Sequence, residues 1–98
     1  MRSRRITYTS HALLRLKIRG IDEIEVSRVM NSPSKLYFDS VTGALVAIGP
    51  RATMEGHWLI VIYTIRDEVT KVITVIDVTT IDKFIKKRVE KNRWVKVK

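Results

Sequence analysis

The spacing of hydrophobic residues changes from helical to alternating about a third of the way along this chain. Before that point, Ile6 to Thr9 alternates β-branched and aromatic residues, which predicts a short strand leading straight into a helix. Ser10 then reads as an N-cap and Gly20 as a left-handed stop, with Leu13, Leu14, Leu16 and Ile18 as the apolar residues that anchor the helix between them. Asp22 reads as the cap of a second helix. Glu25 three residues on completes a capping box, and Ile21 is placed to staple onto Val26. The expected inner residues are Ile24, Val26, Val29 and Met30. Asn31-Ser32-Pro33-Ser34 ends the helix, because proline disfavours helical geometry in the residue before it.

From Lys35 onward the period is that of sheet. Lys35 to Asp39 and Ala44 to Ile48 predict two strands around a turn in which Gly43 takes positive φ. The run His57 to Ile65 is apolar at odd and even positions alike, as in a central strand covered on both faces. Arg66-Asp67-Glu68 turns the chain back into Val69 to Val78, its natural hairpin partner. Thr79 and Asp82 repeat the cap pattern and open a third helix with Ile81, Phe84, Ile85 and Val89 inside. The expectation is a single α+β domain over residues 1–98: a short N-terminal strand, two helices, an antiparallel sheet of three to four further strands and a C-terminal helix.

Composition narrows the chemistry. Ninety-eight residues with 45% hydrophobic content suffice for one core. Cysteine is absent, which excludes disulfides and thiol catalysis, and the two histidines lie far apart, so neither a metal site nor a cofactor motif is expected. The basic N-terminus lacks the apolar run of a signal peptide, and no stretch is long and apolar enough to span a membrane, so a cytoplasmic protein is expected. Nineteen Lys and Arg against ten Asp and Glu leave a net charge of +9, which points to a polyanionic partner, nucleic acid or an acidic protein.

Two clusters would supply the contacts. His11, Arg15 and Arg19 fall at i, i+4 and i+8 on the first helix and share one stripe; a solvated polar face is the other reading of the same spacing. The segment 83–98 holds eight Lys or Arg and one acid, Glu90. There Lys87, Lys91 and Arg93 are candidate phosphate contacts and Trp94 a candidate for stacking on a base, or the segment is a solubilising tail. Lys71 joins the set as a sheet cation or as a charge that guards the hairpin against aggregation.

The run Tyr8-Thr9-Ser10-His11-Ala12 with Arg15, Arg19-Gly20-Ile21, Val29 and Ser32-Pro33 resembles the opening of small uncharacterised domains with a His-Ala-x-x-Arg-x-x-x-Arg-Gly-Ile pattern. Those domains are similar in layout to the BrnT and RelE/ParE toxins, in which two helices precede a curved antiparallel sheet. The resemblance covers the first third by motif and the rest by strand order. It implies metal-independent cleavage of RNA, in which the ribose 2′-hydroxyl attacks and the protein moves protons and stabilises charge. It also implies an acidic antitoxin as partner. On that basis Arg51, His57 and Arg66 are the candidate catalytic residues, His57 as base or acid and the arginines as phosphate clamps, with Tyr63 able to stack or donate. Each has a structural alternative: a loop arginine, a strand-edge histidine, a turn charge and a core tyrosine. A non-catalytic module that binds nucleic acid or an acidic protein is the alternative function. A homodimer through a sheet edge or Trp94 is a third possibility.

Overall fold

A computed structural model describes residues 5–97. The first four residues of the basic N-terminal run and Lys98 of the basic C-terminal segment lie outside the described residues. The order is β1 Arg5–Tyr8, α1 Ser10–Arg19, α2 Glu23–Asn31, β2 Lys35–Asp39, β3 Leu45–Pro50, β4 Trp58–Arg66, β5 Val69–Val78, α3 Ile81–Glu90 and β6 Trp94–Lys96. The strands form one sheet in the order β1-β5-β4-β3-β2-β6. The meander β2 to β5 is antiparallel as expected, β1 adds to β5 in parallel, and β6 adds to β2 beyond the elements anticipated.

Helices cover both faces of this sheet, which is why the central strand is apolar at successive positions from Trp58 to Tyr63. On one face Ala12 and Leu16 of α1 and Val26 and Val29 of α2 pack with Ala47, Leu59, Val61, Tyr63, Val72 and Val75. On the other, Ile81 and Ile85 of α3 pack with Tyr37, Val46, Ile48, Ile60 and Trp94. Alternation along β4 assigns Leu59 and Val61 to the first layer and Ile60 and Ile62 to the second. Across β4 and β5 the register slips: Ile62 pairs with Thr74 but Tyr63 with Val72, so Ile73 is the extra residue of a β-bulge.

The cap of α1 is Thr9, not Ser10: its hydroxyl accepts from Ala12 N at 3.0 Å and donates to the Ile73 carbonyl at 2.7 Å. Gly20 closes the helix at φ 61, as its position predicts. The capping box of α2 is present in full. Thr80, not Thr79, is the N-cap of α3, without a side-chain cap bond.

Apolar assignments on all three helices are corrected. Leu13, Leu14 and Ile18 of α1 are 48%, 54% and 63% exposed, so Ala12 and Leu16 anchor that helix, and Ile24 of α2 faces water. A helix of nine or ten residues lying on a sheet buries only one narrow stripe, and these four side chains fall outside the stripes of α1 and α2. Val89 of α3 is exposed for the same reason.

Trp94 is 3% exposed. It stacks on Tyr37 with centroids 5.6 Å apart and meets Phe84 at 5.9 Å, while the Arg88 guanidinium lies 3.6 Å over the Phe84 ring. Trp94 is therefore part of the core, and neither a base nor a second copy of the chain can use it as exposed surface. Asp39 fixes β6 nearby: Oδ1 accepts from Val41 and Thr42 N, and Oδ2 accepts from Arg93 Nε at 3.1 Å. Burial pushes the Asp39 carboxyl up, and these bonds with the Arg93 charge outweigh it, leaving the carboxyl below its ordinary range.

Leu59 is fully buried whereas Leu14 is half exposed. Urea unfolding should show Leu59→Ala losing about 2–5 kcal/mol and Leu14→Ala changing by less than about 0.5 kcal/mol. Equal losses in the two variants would contradict the packing of α1.

Candidate functional site

One short loop builds the site. β3 ends at Pro50 and β4 starts at Trp58, and Arg51 N donates to the His57 carbonyl at 2.9 Å, so these two residues oppose one another across the loop's mouth. Gly56, at φ 82, makes the return turn that a residue with a Cβ resists. His57 N donates back to the Met54 carbonyl at 3.1 Å.

Arg51 turns inward from there. Its side chain is 2% exposed. Nε and Nη2 donate to the two oxygens of Glu25 at 3.3 and 3.1 Å, Nη1 donates to Asp77 Oδ2 at 2.7 Å, and Nη2 also donates to the Gly20 carbonyl at 3.2 Å. The fork geometry of guanidinium suits this arrangement, and a lysine cannot reproduce it. Thr53 donates its hydroxyl to Glu25 Oε1 at 2.7 Å, and Asp22 N donates to Oε2 at 3.2 Å. Glu25 thus closes the α2 capping box and holds Arg51 with the same carboxylate.

The other oxygen of Asp77 takes up His57, with Nδ1 2.7 Å from Oδ1. Burial pushes the Asp77 carboxyl up, but the hydrogen bonds from His57 and Arg51 and their charges outweigh it, so its pKa lies below the ordinary value. An ionised carboxylate only accepts, so Nδ1 carries the proton. In the neutral ring the Nε2 lone pair then has no partner among the described residues. The His57 side chain is 32% exposed, so that lone pair is within reach of a ligand. Glu25 is shifted in the same direction: burial raises its pKa, and bonds from Arg51, Thr53 and Asp22 N lower it further. The bond to Glu25 raises the Arg51 pKa, burial opposes this, and the bond to Asp77 reinforces it. The result is a fixed chain of charge, Glu25 to Arg51 to Asp77, ending on an imidazole at the surface.

Of the candidate catalytic set, Arg51 and His57 come together and Arg66 does not. Arg66 ends β4 while His57 precedes its start, nine strand residues away, which is roughly 27–30 Å along the strand. Arg51 is committed to two carboxylates, so it positions other groups and is not a surface phosphate clamp. Tyr63 is a core residue, 7% exposed.

The nucleic-acid candidates divide between the two faces of the sheet. His11, Arg15 and Arg19 lie on α1 in the same layer as the network, and α1 ends at Gly20, whose carbonyl Arg51 holds. His11 Nε2 lies 3.0 Å from Thr74 Oγ1, and Arg15 Nε is buried with no hydrogen-bond partner. Lys87 and Lys91 are exposed at the C-terminal end of α3, in the opposite layer, and Arg93 is engaged by Asp39. Lys71 is exposed near the hairpin turn, away from His57. Among the described residues no three metal-ligating side chains gather into a cluster.

Glu25, Thr53 and Asp77 are members of this network that sequence reasoning missed. Asp77 had a signal: it is the one carboxylate in the run from Val69 to Val78, which apart from Lys71 is apolar or β-branched. Glu25 had none beyond its capping role, and Thr53 had none.

The depressed carboxylates give the fold a defined acid limb. Because Glu25 and Asp77 are lowered in the folded state, their stabilisation is fully present above the ordinary carboxylate range and is lost as pH falls below about 4. Glu25→Gln should reduce this loss in urea unfolding between pH 7 and 2, with Asp77 and Asp39 sustaining a residual slope. Arg51→Ala, which takes the shared cation away from Glu25 and Asp77, should cost about 3–5 kcal/mol at pH 7. An unchanged acid limb in Glu25→Gln would show that the network does not govern it.

The sequence profile of a domain of unknown function, DUF4258, matches residues 8–77. No curated protein and no solved structure matches the chain. The matched region runs from the end of β1 through α1, α2 and the meander to Asp77, and so contains Glu25, Arg51, Thr53, His57 and Asp77. On this match over most of its length, the chain belongs to the DUF4258 family.

Proposed function

We propose that this protein binds RNA and cleaves it without a metal, with His57 as the general base, in the manner of the toxin endoribonucleases to which the small domains it resembles are similar in layout. The observation that carries the reading is the His57 imidazole held through Nδ1 by the ionised Asp77, whose side chain is 9% exposed, while the His57 ring keeps a 32% exposed surface. A base must present a lone pair in a fixed direction, and the 2.7 Å bond fixes both ring orientation and tautomer. Asp77 and Arg51 act as positioning residues.

The step is balanced within the substrate and water. Nε2 takes the proton of the ribose 2′-hydroxyl, the 2′ oxygen bonds to phosphorus, the bond from phosphorus to the 5′ oxygen breaks, water protonates the leaving oxygen, and the hydroxide so formed takes the proton back from Nε2. The products are a 2′,3′-cyclic phosphate and a 5′-hydroxyl. Arg15 and Arg19, on the layer that carries His57, supply the charge that holds the backbone.

An acidic partner of the antitoxin kind fits the outer side of α1, where exposed Leu13, Leu14 and Ile18 lie among Lys17, Arg15 and Arg19. Among the described residues no helix is long and apolar enough to cross a membrane. A cytoplasmic site of action accords with an RNA substrate.

With chelator present, the wild-type chain should convert a labelled single-stranded RNA to cyclic-phosphate products. His57→Ala should slow this by about 10²–10⁴-fold with its urea midpoint nearly unchanged. Arg15→Ala and Arg19→Ala should each reduce the salt dependence of RNA binding by about one counterion. No cleavage by the wild type, with binding retained, would leave a non-catalytic binding module; cleavage that survives His57→Ala would remove His57 from the reaction.

A further inference from the structure

The end of the sheet that carries His57 has a second concave feature on its opposite side. Trp58 follows His57, and strand alternation turns its indole toward the α3 layer, where it is partly buried. It lines a cleft of about 490 Å³ with Lys35 from the start of β2 and Thr79, Thr80, Ile81, Asp82 and Lys83 from the entry to α3. The volume falls in the range of small-ligand sites, roughly 300–1,000 Å³.

We infer that this cleft is a nucleotide subsite that stacks one base on Trp58 and holds the adjoining phosphate between Lys35 and Lys83. The inference rests on the RNA-cleaving reading and adds where the substrate's neighbouring nucleotide is gripped. Three features converge on it. Trp58 is the only tryptophan of the two with exposed surface, since Trp94 is 3% exposed and enclosed by Tyr37 and Phe84. An indole face accepts any base and is sequence-tolerant. Lys35 and Lys83 make no ion pair among the described residues, so both ammonium groups are available, against one lining carboxylate, Asp82.

Placement gives the subsite its meaning. Lys35, Pro50, Trp58 and Val78 mark one end of β2, β3, β4 and β5, and the loop with His57 projects from that end. Consecutive residues therefore present an imidazole to one side of the sheet and an indole to the other. An RNA strand that passes over this end meets both, with one base docked at Trp58 while the phosphodiester beside it reaches Nε2 of His57.

The test uses the full chain and the two indole N–H signals in its ¹⁵N spectrum, assigned with Trp58→Phe. Titration with a ribonucleoside monophosphate should shift the Trp58 signal saturably and leave Trp94 in place. Lys35→Ala/Lys83→Ala should raise the Kd at least about tenfold, and the same nucleoside without phosphate should bind comparably more weakly. His57→Ala should bind the mononucleotide as the wild type does, which separates this site from the cleavage step. A Trp58 signal that stays fixed while the chain still cleaves RNA overturns the subsite and leaves the functional reading intact. A Trp58 shift that inorganic phosphate reproduces alone overturns it as a base-stacking site. Mononucleotide binding with this pattern in a chain that cleaves no RNA supports the subsite and sinks the cleavage reading.

Discussion

The guanidinium of Arg51 is the joint on which the functional end of this protein is assembled. It draws together the last turn of α1 at the Gly20 carbonyl, the first turn of α2 at Glu25 and the final residues of β5 at Asp77. Gly20 and Glu25 lie far from Asp77 in sequence, and the guanidinium ties them together beside the apolar cluster that holds Ile21, Val26, Leu59 and Val75. Burying one cation between two carboxylates is costly in desolvation, and a well-packed apolar substitute is often as stable. Its retention here is therefore read through geometry, because no hydrocarbon fixes the direction of Asp77, and through Asp77 that of His57.

The consequences spread from that joint by ordinary hydrogen-bond logic. Asp77 stays ionised although it is buried, since each of its oxygens receives a charged or polar donor. An ionised acceptor settles the tautomer of His57. The loop that carries His57 is short and closed by the bond from Arg51 N, so the imidazole rides on the sheet itself with little freedom of its own.

Much of the fold was legible in local pattern. The capping box at Asp22 and Glu25, the left-handed Gly20, the β4 run without polar alternation and the β4 to β5 hairpin are short-range signals, and each appears where the residues place it. What escaped were features decided at long range. Leu13, Leu14 and Ile18 look like anchors until the sheet selects Ala12 and Leu16, and β6 has only three residues and exists because Asp39 and Arg93 meet. The candidate site was half visible. His57 and Arg51 stood out by residue type, but Arg51 reads as a surface cation until tertiary structure supplies Glu25 and Asp77. Arg66 was grouped with them by chemistry alone, and the length of β4 separates them.

The bulge at Ile73 has a further bearing on β5. Val72 and Asp77 are an odd number of residues apart, and in a regular strand they would project in opposite directions. The additional residue resets the phase, so that Val72 and Val75 line the layer beneath α1 and Asp77 continues on that same side. The strand is in effect two half-strands out of step by one residue, and the offset is what puts a carboxylate, instead of Ile76 or Val78, in line with the arginine.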